Sequence, residues 1–231
     1  ILIAALSLVG YVATRALGPQ RGTAVTGLSG GLVSSTAVTL AFAKQSREEG
    51  GRTDDALAGG ILLAWAVMSV RIVVLAAILF APLVRLLLLP FGAMTAVTLG
   101  TAVVLLRRGR AEKPAAAGEV VLKNPFSLTA AVKFGLLFAA VLLVVAGVER
   151  YFPGQGYYLV AAVAGLTDVD AITLSTSKLV DGGQLESATG WRVILVGGMA
   201  NLVFKGVLAA ALGGRALGRI VAAGFAASLA G

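Results

Sequence analysis

The chain has 231 residues, 58% of them hydrophobic and only 13% charged, with a formal net charge of +8. Soluble domains average roughly 45–50% apolar and 25% charged residues, so there is too little charge here to cover a water-facing surface. Cys and His are both absent, which excludes disulfides, thiolate nucleophiles, imidazole bases and the usual zinc ligands. Any bound metal has to take oxygen ligands, the preference of hard ions such as Mg²⁺. The basic residues are scattered, with no aromatic-rich polar segment beside them. The positive charge therefore fits the cytoplasmic loops of a membrane protein and not a nucleic-acid surface.

A helix needs about 20 mainly apolar residues to cross a bilayer. In chain order the candidates are Ile1–Leu17, Ala24–Ala43, Ala56–Phe80, Leu86–Leu106, Leu128–Val148, Tyr157–Ser177, Trp191–Leu212 and Ala216–Ala230. The third carries Arg71 as its single charged residue. The second and sixth are the least hydrophobic, and the eighth is short. The expected fold is all-α: a polytopic transmembrane helix bundle of about eight helices. Ile1 lies inside an apolar run with no Met and no basic leader. A cleavable signal peptide does not fit that start, and the natural polypeptide is expected to extend upstream.

With eight spans, the loops after helices two, four and six share one side of the membrane. Those loops and their edges hold Lys44, Arg47, Arg52, Arg107, Arg108, Arg110, Lys113, Lys123, Lys133, Lys178 and Arg192. The opposite side has Arg15, Arg21, Arg85, Arg150, Arg215 and Arg219. The positive-inside bias places the Arg107–Lys123 loop in the cytoplasm.

A shift of 134 positions lays Gly31-Leu32-Val33-Ser34-Ser35-Thr36-Ala37-Val38-Thr39-Leu40 on Gly165-Leu166-Thr167-Asp168-Val169-Asp170-Ala171-Ile172-Thr173-Leu174. The same shift pairs Lys44 with Lys178, Pro19 with Pro153, Arg85 with Arg219 and Arg71 with Lys205. Apolar letters agree by chance in such a chain; Pro, Lys and intramembrane cations in one register do not. The expected organisation is a first transmembrane repeat over 1–106, a basic cytoplasmic linker over 107–127 and a second repeat over 128–231. Four helices per half make the repeats parallel, and a re-entrant second and sixth segment would make them inverted.

Segments two and six open with small residues that let helices approach closely. Each then presents a polar cluster: Ser34, Ser35, Thr36 and Thr39 in one, and Thr167, Asp168, Asp170, Thr173 and Ser177 in the other. Asp170, Thr173 and Ser177 share a helix face. Asp168 lies about 200° from Asp170 on an intact helix. Both carboxylates reach one site only if the helix unwinds near Gly165, as the broken helices of transporters do. A charge at the bilayer centre costs at least about 2.5–3.5 kcal/mol. Arg71, Asp168, Asp170 and Lys205 each carry that cost, which predicts mutual pairing, with Asn201 one turn before Lys205 as a further member. Trp65, Trp191, Tyr157 and Tyr158 read as interfacial or packing aromatics.

The runs at 30–39 and 165–173, with Asn124-Pro125-Phe126, Lys133-Phe134, Asn201 and Lys205, resemble a bacterial membrane family. The match is to the domain of unknown function 4010, which commonly follows an MgtC/SapB-like domain, and it covers essentially the whole chain. The resemblance implies a polytopic inner-membrane protein, often preceded by further helices. It supplies no activity.

The residues point to a transporter or channel-like carrier for a cation or proton-coupled small solute, not to an enzyme, and no residue stands out as catalytic. Asp168, Asp170, Thr167, Thr173, Ser34, Ser35, Thr36 and Thr39 would line the site. Arg71, Lys205 and Asn201 would be charge partners, and Asp168 with Asp170 the ligands of a hard cation such as Mg²⁺. Two other readings stay open. One is a non-transporting scaffold or regulatory subunit whose intramembrane ion pairs are structural. The other is a membrane enzyme using Asp168-Val169-Asp170 to hold a metal, which a lone Asp-x-Asp supports weakly. The expected partners are lipid, a small ion or solute, a second copy in a homodimer and the upstream MgtC/SapB-like domain.

Overall fold

The computed structural model describes residues 22–51, 53–109, 143 and 156–230. Segments one and five (Leu143 apart) and the linker beyond Gly109 lie outside those residues. Among the described residues there are seven α-helices, one short 3₁₀ turn and no strand. The helices are α1 (Thr23–Glu48), α2 (Asp54–Leu79), α3 (Val84–Gly109), α4 (Gly156–Thr167), α5 (Val169–Asp181), α6 (Ser187–Leu212) and α7 (Arg215–Ala230).

Local chemistry explains the boundaries. α1 stops where Gly50 and Gly51 take positive φ angles of 64° and 85°, a conformation that glycine adopts without steric cost. α2 opens with Asp54 and Asp55 in its first turn, where carboxylates complement the positive end of the helix dipole. Phe80 is extended, and Pro82 falls in the 3₁₀ turn Ala81–Leu83 that leads into α3. α3 passes through Pro90 and ends with Arg107 and Arg108 in its last turn, against the negative end of its dipole.

Among the described residues, four stretches are long and apolar enough to cross a membrane: Thr23–Glu48, Asp54–Leu79, Ala81–Gly109 and Ser187–Leu212. A helix of 26 residues extends about 39 Å at 1.5 Å per residue, more than the roughly 30 Å hydrocarbon core. Large apolar side chains such as Ile78, Leu88, Leu89, Leu159 and Val207 are exposed, as lipid-facing positions are. Most helix ends overrun the apolar segments read from the sequence, by one to five residues. Hydropathy registers only the lipid-embedded part, whereas backbone hydrogen bonding continues into polar turns such as Lys44–Glu48.

The chain divides into two compact units, each drawing on both halves of the sequence. One takes the described residues up to Ser69, those from Ala93 to Gly109 and those from Lys205 onward. The other takes Val70–Gly92 and the described residues of the second half up to Phe204. In the first unit, α2 supplies buried Leu57, Ile61, Leu62, Trp65 and Met68. Close backbone packing holds α1 to α2: a Cβ on Gly31 would stand 2.7 Å from Ala64 Cα, and one on Gly27 would stand 2.4 Å from Gly60 O. In the second unit, a Cβ on Gly165 would stand 2.5 Å from Gly197 O. The 134-residue shift superposes Gly31 on Gly165, and each brings its helix onto a neighbour's backbone.

Candidate functional site

Both polar segments are interrupted, and at matching positions. Within α1, Ser34 leaves helical geometry with φ −162° and ψ 102°. Between α4 and α5, Asp168 does the same with φ −154° and ψ 104°. The two residues are 134 positions apart. Each caps the helix that follows: Ala37 N–H donates to Ser34 Oγ at 3.2 Å, and Ala171 N–H donates to Asp168 Oδ1 at 3.3 Å. The unwinding expected near Gly165 therefore falls three residues later. Gly165 is held helical by its contact with Gly197, whereas an Asp side chain offers the free amides of a new helix an acceptor.

Asp168 changes the backbone around it. In an unbroken helix Asp170 N–H would donate to Leu166 O, and Ala171 N–H to Thr167 O. Both amides donate instead to Asp168 Oδ1, at 2.9 and 3.3 Å. The Leu166 and Thr167 carbonyls thereby lose their helical donors and lie at the negative end of α4. Gly165 O, which would have taken Val169 N–H, accepts from Asn201 Nδ2 on α6 at 2.7 Å.

Two residues past the break, Asp170 Oδ2 takes the Arg71 guanidinium at 2.6 Å, with only 6% and 11% of the two side chains exposed. Asp170 Oδ1, Asn201 Oδ1 and Ser177 Oγ are buried and have no hydrogen-bond partner among the described residues. Thr173 shares the buried face of α5 with Asp170 and Ser177, but its hydroxyl bonds Val169 O of its own helix. Thr167 likewise bonds Ala164 O. These two threonines are helix-bonded hydroxyls in this structure. Among the described residues no three acidic, His or Cys side chains converge as a metal cluster.

The interruption at Ser34, in the other unit, has a different lining. The Lys205 ammonium, 2% exposed, donates to Ser35 Oγ at 2.7 Å and approaches Met68 Sδ at 2.8 Å. Thr39 Oγ1 donates to Ser35 O and accepts from Trp65 Nε1 at 3.1 Å. Ser34 and Thr36 are half-buried. Of the four intramembrane charges, the structure thus joins Arg71 to Asp170. It sets Asp168 to capping its own helix and Lys205 to binding the hydroxyl next to the first break. Met68 and Trp65 were not anticipated as partners. Trp65 carried one legible signal, since a buried indole N–H has to find an acceptor; Met68 carried none.

Apolar spanning helices around a buried ion pair define a polytopic α-helical membrane protein. The chain belongs to the family described as Domain of unknown function (DUF4010), which matches residues 1–213. It is similar to a protein of Aquifex aeolicus (strain VF5) described as "Uncharacterized protein", 33% identical over 196 residues covering 84% of this chain and 83% of the relative. No solved structure matches it.

Proposed function

We propose that the protein is a transporter or channel-like carrier of a small ion or ion-coupled solute in the bacterial inner membrane, and not an enzyme. Its frame is a bundle of about eight helices in two homologous four-helix repeats, whose broken second and sixth segments carry the sites. Four features support the duplication: the gapless 134-residue register, the shared break at Ser34 and Asp168, the shared cap, and the shared glycine approach. Interrupted helices with carbonyl and amide ends directed at one place are the usual frame of transporter sites. In the natural chain an MgtC/SapB-like domain would precede this one.

The observation that carries the reading is the buried Arg71–Asp170 pair just past a helix break, with Asp170 Oδ1 left without a donor among the described residues. A purely structural ion pair at this depth gains by satisfying every polar atom, because each buried orphan costs about 1–3 kcal/mol. The closed 2.6 Å contact favours one second reading, a scaffold or regulatory subunit whose ion pair fixes helix packing. Flux separates the two. Proteoliposomes carrying the full chain would be assayed with indicators for H⁺, Na⁺, K⁺ and Mg²⁺, and Asp170→Asn should abolish the responsive flux while the protein stays folded. No flux of any of these above empty liposomes, together with reciprocal stability rescue between Arg71 and Asp170 variants, would establish the scaffold instead.

A further inference from the structure

Acceptors flank the break between α4 and α5: buried Asp170 and Asn201, and the exposed last residues of α4, Leu166 and Thr167. Asp170 Oδ1 and Asn201 Oδ1 are side-chain oxygens in one compact unit, on residues 4% and 2% exposed, and neither receives a hydrogen bond from the described residues. Asn201 is tied through Nδ2 to Gly165 O, so its own oxygen is held beside the last turn of α4. At that same turn the Leu166 and Thr167 carbonyls have lost Asp170 N–H and Ala171 N–H to Asp168. All four groups accept, and a site made of acceptors calls for a cation.

Charge sets the valence. Asp168 Oδ1 is engaged by two backbone amides and Asp170 Oδ2 by Arg71, so each carboxylate keeps its other oxygen, and two carboxylates against one guanidinium leave a single net negative charge. A divalent ion favours more oxygens and more net negative charge: Ca²⁺ takes six to eight oxygens, and Mg²⁺ demands octahedral geometry. A monovalent ion is satisfied by a few neutral oxygens and one shared carboxylate, with helix C-terminal carbonyls among them. The first break offers no equivalent, because the 134-residue shift places Thr36 at Asp170 and Val67 at Asn201.

We propose that the α4–α5 break is a binding site for a small monovalent cation of the Na⁺ class. Asp170 Oδ1 and Asn201 Oδ1 are its side-chain ligands, and the carbonyls freed by Asp168 complete it. The site deepens the carrier reading by naming the ion, and it is tested without measuring transport. Detergent-purified full chain would be melted in rising NaCl, against choline chloride at matched ionic strength and against MgCl₂. A ligand that binds the folded state alone raises the melting midpoint progressively with its concentration. The midpoint is expected to climb with NaCl and not with choline.

Asp170→Asn and Asn201→Ala should each weaken that dependence by roughly tenfold or more in apparent Kd, the equivalent of one lost good ligand. Asn201→Asp keeps the shape and the oxygen, and should retain the response if Asn201→Ala fails to fold. Equal midpoints in NaCl and choline chloride, a response to MgCl₂ alone, or a midpoint that follows pH and ignores Na⁺ each overturn the proposal. A Na⁺ response without flux leaves the site and removes the carrier reading; flux without a Na⁺ response does the reverse.

Discussion

Replacing Arg71 with Met removes one partner of a buried ion pair and leaves Asp170 without its cation. The pair closes at 2.6 Å, and both side chains are about nine-tenths withdrawn from solvent. It therefore belongs with buried pairs, where losing one member costs about 3–5 kcal/mol, and not with exposed ones worth about 0–1 kcal/mol. At about 2–4 °C per kcal/mol for a chain of this size, the thermal midpoint of Arg71→Met should fall by roughly 6–20 °C. The double variant Arg71→Met with Asp170→Leu removes both charges together and should recover much of that loss, since an apolar pair of similar volume is often neutral or better. The assay is thermal unfolding of the four proteins of the cycle in detergent. A fall of less than about 1 kcal/mol in the single variant, or strictly additive effects in the double, would falsify the assignment of a buried, coupled pair.

The glycine contact gives a contrasting prediction. Gly165→Ala should destabilise by about 1–3 kcal/mol, because its Cβ would lie 2.5 Å from a backbone oxygen that cannot move freely. Gly100→Ala in α3, where a Cβ meets nothing within 4 Å, should be neutral or stabilising by up to about 1 kcal/mol; equal effects in the two thermal melts would refute the close approach. Asp168→Ala should cost about 0.5–2 kcal/mol as a lost helix cap, while Asp168→Asn keeps most of it, which thermal melting of both variants checks. Asp54→Ala should loosen the start of α7, because Asp54 accepts Leu217 N–H at 2.8 Å and Ser46 O–H at 2.5 Å. Faster amide exchange confined to the first turn of α7 is the expected signature, at a cost of about 1–3 kcal/mol.

The membrane class and the positions of six of the expected segments were legible because apolar run length is a direct consequence of bilayer thickness. Ala56–Phe80 became Asp54–Leu79, and Trp191–Leu212 became Ser187–Leu212. The break in the sixth segment was legible in kind, since Asp168 and Asp170 cannot share a side of an intact helix. Its position was misjudged because Gly165 advertises flexibility in a sequence, while here its missing Cβ serves a contact with Gly197. That Arg71 would meet a carboxylate was legible from charge, but which of the two aspartates it takes was not. The link from Asn201 to Gly165 O left no trace, because a backbone carbonyl has no letter of its own. The same holds for Met68 beside Lys205, which reads as one more apolar residue.

The membership of each compact unit bears on synthesis as well as on architecture. Arg71 comes from the first half and its carboxylate from the second, about 100 residues later. At about 5–20 residues per second, a nascent chain holds that guanidinium without its counter-ion for roughly 5–20 s. Insertion must therefore succeed on the strength of the surrounding helix. The most apolar 18-residue stretch of Asp54–Leu79 has a mean hydropathy of 2.5, against 1.4 to 1.9 for such stretches in the other described spans. Its surplus of Leu, Ile and Val offsets the roughly 2.5–3.5 kcal/mol that a central arginine costs the translocon. Substitutions that thin out this apolar run would thus act before the protein is complete, lowering its yield in the membrane without altering any contact at the α4–α5 break.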